Sequence, residues 1–326
     1  MSCAEIPLSP FATLSVYWAI PVIAVVLDRV FGDPPGKPHP VRLIGAALMY
    51  VEPRARRSIR DPFFAGLAAA CAVLAGTYAL VRLLLALPWV VAVIAAVYLA
   101  FSGIALGQLL REGKNALALL ERGDTGAARK AVGYLVSRDV SAADDEELCR
   151  VLAESLAENL NDAFIAPFFW LLAGGPVALW LYKAASTMDS MWGYPHEPWT
   201  RFGTFAARLD DVLAFIPARL TALFLLLASC RLCRKTPAAV VSDAKKMKSP
   251  NAGWPMAAAA WACGAAMGGK AVYAGKTVEK PLLGPEGNAW TPETLRHLLT
   301  LLSRSGYGGA LALFLCFFGL QLLFFP

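Results

Sequence analysis

Residues Phe63–Leu110 carry a single charge, Arg82. A helix needs about 20 apolar residues to cross a bilayer, so this run is too long for one span. Pro88, close behind Arg82, marks a turn, and the stretch reads as a transmembrane hairpin. Five further runs behave alike. Ile6–Leu27, Ala163–Tyr182, Trp254–Gly269 and Gly306–Pro326 are uncharged, and Val212–Cys230 carries only Arg219. Of the 326 residues, 17% are charged, against about 25% in soluble proteins. The sequence therefore predicts an all-α, polytopic integral membrane protein. It forms one domain over residues 1–326 with about four to six membrane-embedded helical segments, some of them re-entrant.

The first run is not a signal peptide. It lacks a basic start, is too long, and meets Asp28 and Arg29 where small residues would mark a cleavage site. Between the runs, stretches 29–62, 111–162 and 231–305 carry seven, seven and eleven Lys/Arg, whereas 183–211 carries three. The positive-inside rule makes the first three cytoplasmic and puts the N-terminus outside. The net charge of +6 then reports membrane topology, and nucleic acid is not expected as a partner. Seven scattered cysteines argue against a disulfide framework, and Cys230 with Cys233 lacks a second pair for zinc. Three histidines far apart exclude a histidine metal site.

Segment 163–182 is ambiguous as a span. Gly174, Gly175 and Pro176 sit at its middle and predict two half-helices that dip in and return. Upstream, Arg111–Tyr134 has helical spacing. A second helix is expected from Ser141, with Ser141 as cap and Asp144 completing a capping box. On that helix Leu148, Val151, Leu152 and Leu156 form the apolar face. Glu154, Glu158 and Asp162, spaced i, i+4, i+8, form a stripe on another side. A solvated face is the ordinary fate of such a stripe. Here it runs into an uncharged segment, where unpaired charge is expensive unless Mg²⁺ or arginines offset it.

Three other constellations carry chemistry. "FGDPPGKPHPVRLIG" is a stiff loop presenting Asp33, Lys37, His39 and Arg42, or else a plain juxtamembrane linker with snorkelling bases. Residues 182–220 set Lys183, Asp189, Arg201, Arg208, Asp210, Asp211 and Arg219 among aromatics at membrane boundaries. Ionisable groups there are functional candidates, although Trp192, Tyr194 and Trp199 would also serve as interfacial anchors. "KSPNAGWP" makes a turn around Asn251. "GGKAVYAGKT" resembles a phosphate-binding loop but has five residues where four are required. Together these residues describe a membrane-embedded site suited to a divalent metal and phosphates, with no nucleophile triad.

The motifs "DRVFGDPPGKPHPVRLIG", "SRDVSAADDEEL", "ESLAENLNDAFIAPFFW", "YKAASTMDSMWGY", "FGTFAARLDDVLAFIPARL" and "SPNAGWPMAA", in that order, resemble the adenosylcobinamide-phosphate synthase family of cobalamin biosynthesis (CobD/CbiB). Ser186 stands where that family usually has Asn, and Met256 where it usually has Glu. The resemblance implies a multi-pass inner-membrane ligase with a cytoplasmic active site. It would join an amino-alcohol phosphate, usually (R)-1-aminopropan-2-ol O-phosphate, to the free propionate of adenosylcobyric acid as an amide, using ATP and Mg²⁺. Its partners would be the corrinoid substrate, the amine phosphate, the bilayer and other late cobalamin-pathway membrane enzymes. Glu154, Glu158, Asp162, Lys183 and Asp189 are the catalytic candidates, with Glu154, Glu158 and Asp162 as the metal set. Asp33, His39, Arg42, Arg138, Asp139, Asn159, Tyr194, Arg208, Asp210, Asp211, Arg219 and Asn251 are the substrate-binding candidates. A non-catalytic sensory relative and a transporter with broken helices are the alternatives.

Overall fold

The structure, a computed structural model, describes residues 10–33, 39–231, 235–273 and 276–324. Lys37 and Cys233 lie outside them. Helix α1 spans Pro10–Phe31 and α2 spans Pro40–Ser58, the latter capped by His39 with Pro40 at its start. The expected hairpin is present as α3 (Pro62–Leu85) and α4 (Trp89–Gly103), with the break at Ala86–Pro88. The chain continues as α5 (Leu106–Glu121) and α6 (Thr125–Gly133).

Helix α7 runs over Asp145–Asn159. It begins later than Ser141, because Asp144 is the cap and accepts from Glu147 N–H at 2.8 Å. Asp145, Glu146 and Glu147 fill its first turn and complement the helix dipole. A π-helical turn, Leu160–Ile165, then leads into α8 (Ala166–Trp192). The wider turn lets Ala105 N–H reach the Ala163 carbonyl at 2.8 Å.

Helix α9 (Thr204–Leu213) and α10 (Phe215–Ala228) meet at a 46° bend. The basic segment after them folds as α11 (Lys235–Ala244), α12 (Gly253–Cys263) and an antiparallel hairpin of β1 (Met267–Tyr273) and β2 (Lys276–Leu283). This hairpin, on the "GGKAVY" stretch, is the one departure from an all-helical fold among the described residues. Helix α13 (Pro292–Phe324) closes the chain.

Four helical stretches are long and apolar enough to cross a membrane: Pro62–Leu85, Trp89–Glu121, Asp145–Trp192 and Pro292–Phe324. The bent α9–α10 pair makes a fifth if counted as one span. Trp254–Gly269 is not a span. Its helix α12 has 11 residues and Ala257–Ala260 are all 0% exposed, so it is a core helix packed against α10. Large side chains such as Val26 and Val30 on α1, Leu80 and Leu83 on α3, Ile94 on α4, and Leu311, Leu315 and Leu323 on α13 point outward. An apolar outer surface is what lipid as solvent selects.

Asp145–Trp192 is 48 residues, roughly 72 Å if straight at about 1.5 Å per residue, more than twice a bilayer core. It is not straight. Gly174 and Gly175 leave helical geometry, Gly175 at φ 64° and ψ −162°. That region is open essentially to glycine alone. The chain folds back there, as the sequence predicts for the Gly-Gly-Pro centre.

Candidate active site at the helix fold-back

On an unbroken helix, Asp162 and Lys183 would stand about 31 Å apart. Instead both line one cavity of about 290 Å³. Asn159, Asp162 and Ala163 supply one wall, and Lys183, Ser186, Thr187 and Ser190 the other. The last four are spaced i, i+3, i+4, i+7 and so share one face of α8. Val41, in the first turn of α2, closes a side. The end of the 138–162 stretch and the start of 183–211 therefore open on the same side of the fold.

Hydrogen bonds set the orientation of each wall. Thr221 on α10 donates to Asn161 Oδ1 at 3.0 Å, and Asn161 Nδ2 donates to Asp162 Oδ1 at 2.7 Å. Asn159 Nδ2 donates to the Ser155 carbonyl at 2.9 Å. On α8, Thr187 Oγ1 donates to the Lys183 carbonyl at 2.6 Å and Ser190 Oγ to the Ser186 carbonyl at 2.9 Å. With their protons engaged, both hydroxyl oxygens keep lone pairs for a ligand.

The surroundings are acidic. Asp162, Asp189, Asp210 and Asp211 act on one another electrostatically, with Lys183 as the cation among them. Asp33 also reaches Lys183. Among the described residues, Lys183 forms no ion pair within 4.0 Å. Asp210 Oδ1 is buried without a hydrogen-bond partner. Buried polar atoms left unpaired in this way mark a place where a ligand completes the set.

The metal expectation needs correction. Among the described residues no three Asp, Glu, His or Cys side chains form a metal-holding group. Glu154 is committed elsewhere: 1% exposed, it pairs with Arg138, accepts from Gly268 N–H at 2.9 Å and lies 3.9 Å from Arg150. Its work is to pin the β-hairpin to α7, and it does not line the cavity. Glu158 stands between the two, in electrostatic contact with Asp162, Lys280, Glu154 and Arg138. The solvated-face alternative fails too, since both flanks of α7 are buried. Asp210, with Oδ1 buried and unpartnered, is a carboxylate of the kind that can share Mg²⁺ with phosphates.

Asp33 and the residues from His39 onward stand at the edge of the site. His39 Nδ1 accepts from Val41 N–H at 3.3 Å, and its Nε2 is 3.6 Å from Asp33 Oδ1. Arg42 is exposed one residue past Val41. The remaining candidates lie apart from the cavity. Asp139 is exposed, and the Ser141 N–H and hydroxyl hold its carboxyl below the usual range. Tyr194 is exposed and stacks on His196. Arg208 is 79% exposed and 3.8 Å from Asp211.

Among the described residues, Arg219 has no anionic partner, although an arginine this far into an apolar segment is expected to have one. Its guanidinium donates to Phe215 O at 2.7 Å, Asn251 Oδ1 at 3.1 Å and Pro250 O at 3.3 Å. It also lies over the rings of Phe215 and Trp254. Carbonyl dipoles and ring faces replace a counter-charge. Asn251 Nδ2 in turn donates to the Asp211 carbonyl at 2.8 Å, so this pair fastens the "SPNAGW" turn to the α9–α10 bend.

Sequence reasoning missed Thr187, Ser190 and Thr221. The hydroxyl spacing after Lys183 was readable on a helical wheel. Thr221 was not, because only the folded packing brings it to Asn161.

The chain matches the family model described as CobD/Cbib protein over residues 21–302. It is 36% identical over 271 residues to "Cobalamin biosynthesis protein CobD" of Clostridium perfringens, covering 81% of this chain and 86% of that protein. The protein of the same name from Klebsiella pneumoniae is 38% identical over 275 residues, covering 80% and 85%. That from Listeria monocytogenes is 34% identical over 309 residues, covering 92% and 97%. No solved structure matches.

Proposed function

Because the chain belongs to the CobD/Cbib family of cobalamin biosynthesis proteins, we propose that it makes adenosylcobinamide phosphate. The reaction is amide ligation of an amino-alcohol phosphate to adenosylcobyric acid at the fold-back cavity, on the cytoplasmic side of the inner membrane. The observation that carries this is the pairing of Lys183, three hydroxyls and Asp162 in one cavity of about 290 Å³. That volume suits a small phosphorylated amine. A corrin ring is far larger, so only its propionate arm would enter.

A carboxylate resists attack by an amine, so it is first activated. Its oxygen attacks the γ-phosphorus of ATP, giving an acyl phosphate and ADP. The amine nitrogen then attacks the acyl carbon, phosphate leaves, and the amine loses a proton. Asp162, held by the Asn161 amide, takes that proton in this reading. Lys183 balances the negative charge of the phosphates, and Ser186, Thr187 and Ser190 donate to phosphate oxygens, the last two by turning their protons away from the backbone carbonyls that hold them in the free protein. If held by Asp210, Mg²⁺ would supply charge neutralisation at the phosphates.

The test is reconstitution in nanodiscs with adenosylcobyric acid, (R)-1-aminopropan-2-ol O-phosphate, ATP and Mg²⁺, with products read by mass spectrometry. The expected result is the amide, formed with stoichiometric ADP. A folded protein that yields no amide from this amine or from 2-aminoethyl phosphate overturns the assignment.

A further inference from the structure

Away from the fold-back, three cations converge where α1, α5 and α13 meet. A second cavity, of about 230 Å³, is lined by Arg29, Arg111, Lys114, Ser303 and Tyr307, with Gly107 and Leu110 as its only other walls. Among the described residues, no carboxylate lines it. The Asp28 carboxylate, close enough to act on Tyr307, is turned toward α5, where its Oδ2 accepts from Gly107 N–H at 2.8 Å. Arg111 is held in place by the carbonyls of Asp28 at 3.1 Å and Val30 at 3.3 Å. Gly32, at φ 64°, makes room for it, because a Cβ there would meet Arg111 Nη2 at 2.2 Å. Arg29 lies over the Tyr307 ring at 5.1 Å. Among the described residues, neither Arg29 nor Lys114 forms an ion pair.

The position matters as much as the charge. The apolar runs end at Leu27 and Leu110 and begin again at Gly306. All three helices therefore change from polar to apolar at this cavity, at the depth where lipid phosphates lie. We propose that this cavity is a phosphate-binding site separate from the fold-back site. Two guanidinium groups and an ammonium, with two hydroxyls, are the donor set that a phosphate group requires, and they outnumber the one carboxylate behind the wall, Asp28, which acts on Arg111. The phosphate arrives either on the headgroup of an anionic phospholipid or as a free ion.

The test compares wild type with an Arg29→Gln/Lys114→Gln double variant, leaving Arg111 and its carbonyl bonds intact. Arg122→Gln/Lys130→Gln makes the same charge change elsewhere and serves as control. Thermal unfolding is followed in phosphatidylcholine nanodiscs during titration with inorganic phosphate at constant ionic strength. It is followed again in nanodiscs containing phosphatidylglycerol. Stabilisation by inorganic phosphate, with the half-saturating concentration raised at least tenfold in the Arg29/Lys114 variant alone, supports the site with a free ion. Stabilisation only by phosphatidylglycerol, lost in the same variant alone, supports it with a lipid. Equal responses in all three proteins, or no response to either probe, overturns the proposal.

Discussion

Asp162 and Arg219 are both ionisable residues at the edge of apolar chain, yet the structure gives them opposite kinds of work. Asp162 faces a cavity with one oxygen held by Asn161. Asp162→Asn should lower kcat/KM at least tenfold, about 1.4 kcal/mol of barrier, with insertion and melting temperature unchanged. Wild-type turnover in that variant would remove Asp162 from the chemistry. Thr187→Val should raise KM for the amine phosphate several-fold with kcat nearly unchanged, as expected for a group that binds substrate and transition state alike. Arg219 is satisfied by three acceptors and two rings. Arg219→Lys should therefore cost about 1–2 kcal/mol of stability and leave every KM unchanged; a raised KM for the amine phosphate or ATP would return it to a phosphate clamp. The sequence marked both residues through charge beside apolar chain. It did not separate them, because the partners of Arg219 lie some thirty residues away in a turn that hydropathy does not place.

At the scale of elements, two breaks and one clasp decide where side chains meet. The Gly174–Gly175 break was legible, since Gly-Gly-Pro inside an apolar run has few other meanings. The π-helical turn was not, because nothing in "LNDAFI" distinguishes it from ordinary helix. The stripe thus read as three equivalent carboxylates, whereas the fold gives Glu154 to the hairpin and Asp162 to the cavity. Gly175→Ala would force a side chain into a glycine-only region and should cost about 1–3 kcal/mol, read as a lowered melting temperature with activity falling in parallel. The clasp is Asp243 on α11, which accepts from Lys246 at 2.6 Å, Trp261 at 2.8 Å and Gly284 N–H at 2.8 Å. Burial alone would raise its carboxyl, but these donors together outweigh it and hold the carboxyl below the usual range. A depressed carboxyl stabilises the fold above its unfolded pKa, about 4, and loses that contribution as pH falls through the folded value. The difference in melting temperature between wild type and Asp243→Asn should be constant from pH 7 to 5 and shrink below about pH 4. A difference that is unchanged at acid pH would show that the clasp is not ionic.

At the scale of the whole molecule, the run lengths revealed a helical membrane protein, and the motifs in order revealed its family. Hydropathy alone counted Trp254–Gly269 as a possible span, although α12 is a short core helix, because burial in protein and burial in lipid select the same residues. The central claim is that the chain enters at α7, turns back at Gly175, and brings Asp162 and Lys183 to one cytoplasmic site. Cysteine accessibility tests it most directly, in a background with the native cysteines replaced. Ala142 and Ser190 are both exposed, so each accepts a cysteine without disturbing packing. In sealed cells, Ala142→Cys and Ser190→Cys should both resist an impermeant external thiol reagent, and both should label once the membrane is opened. External labelling of position 190 with position 142 protected would place the two walls of the cavity on opposite sides of the membrane and contradict the account.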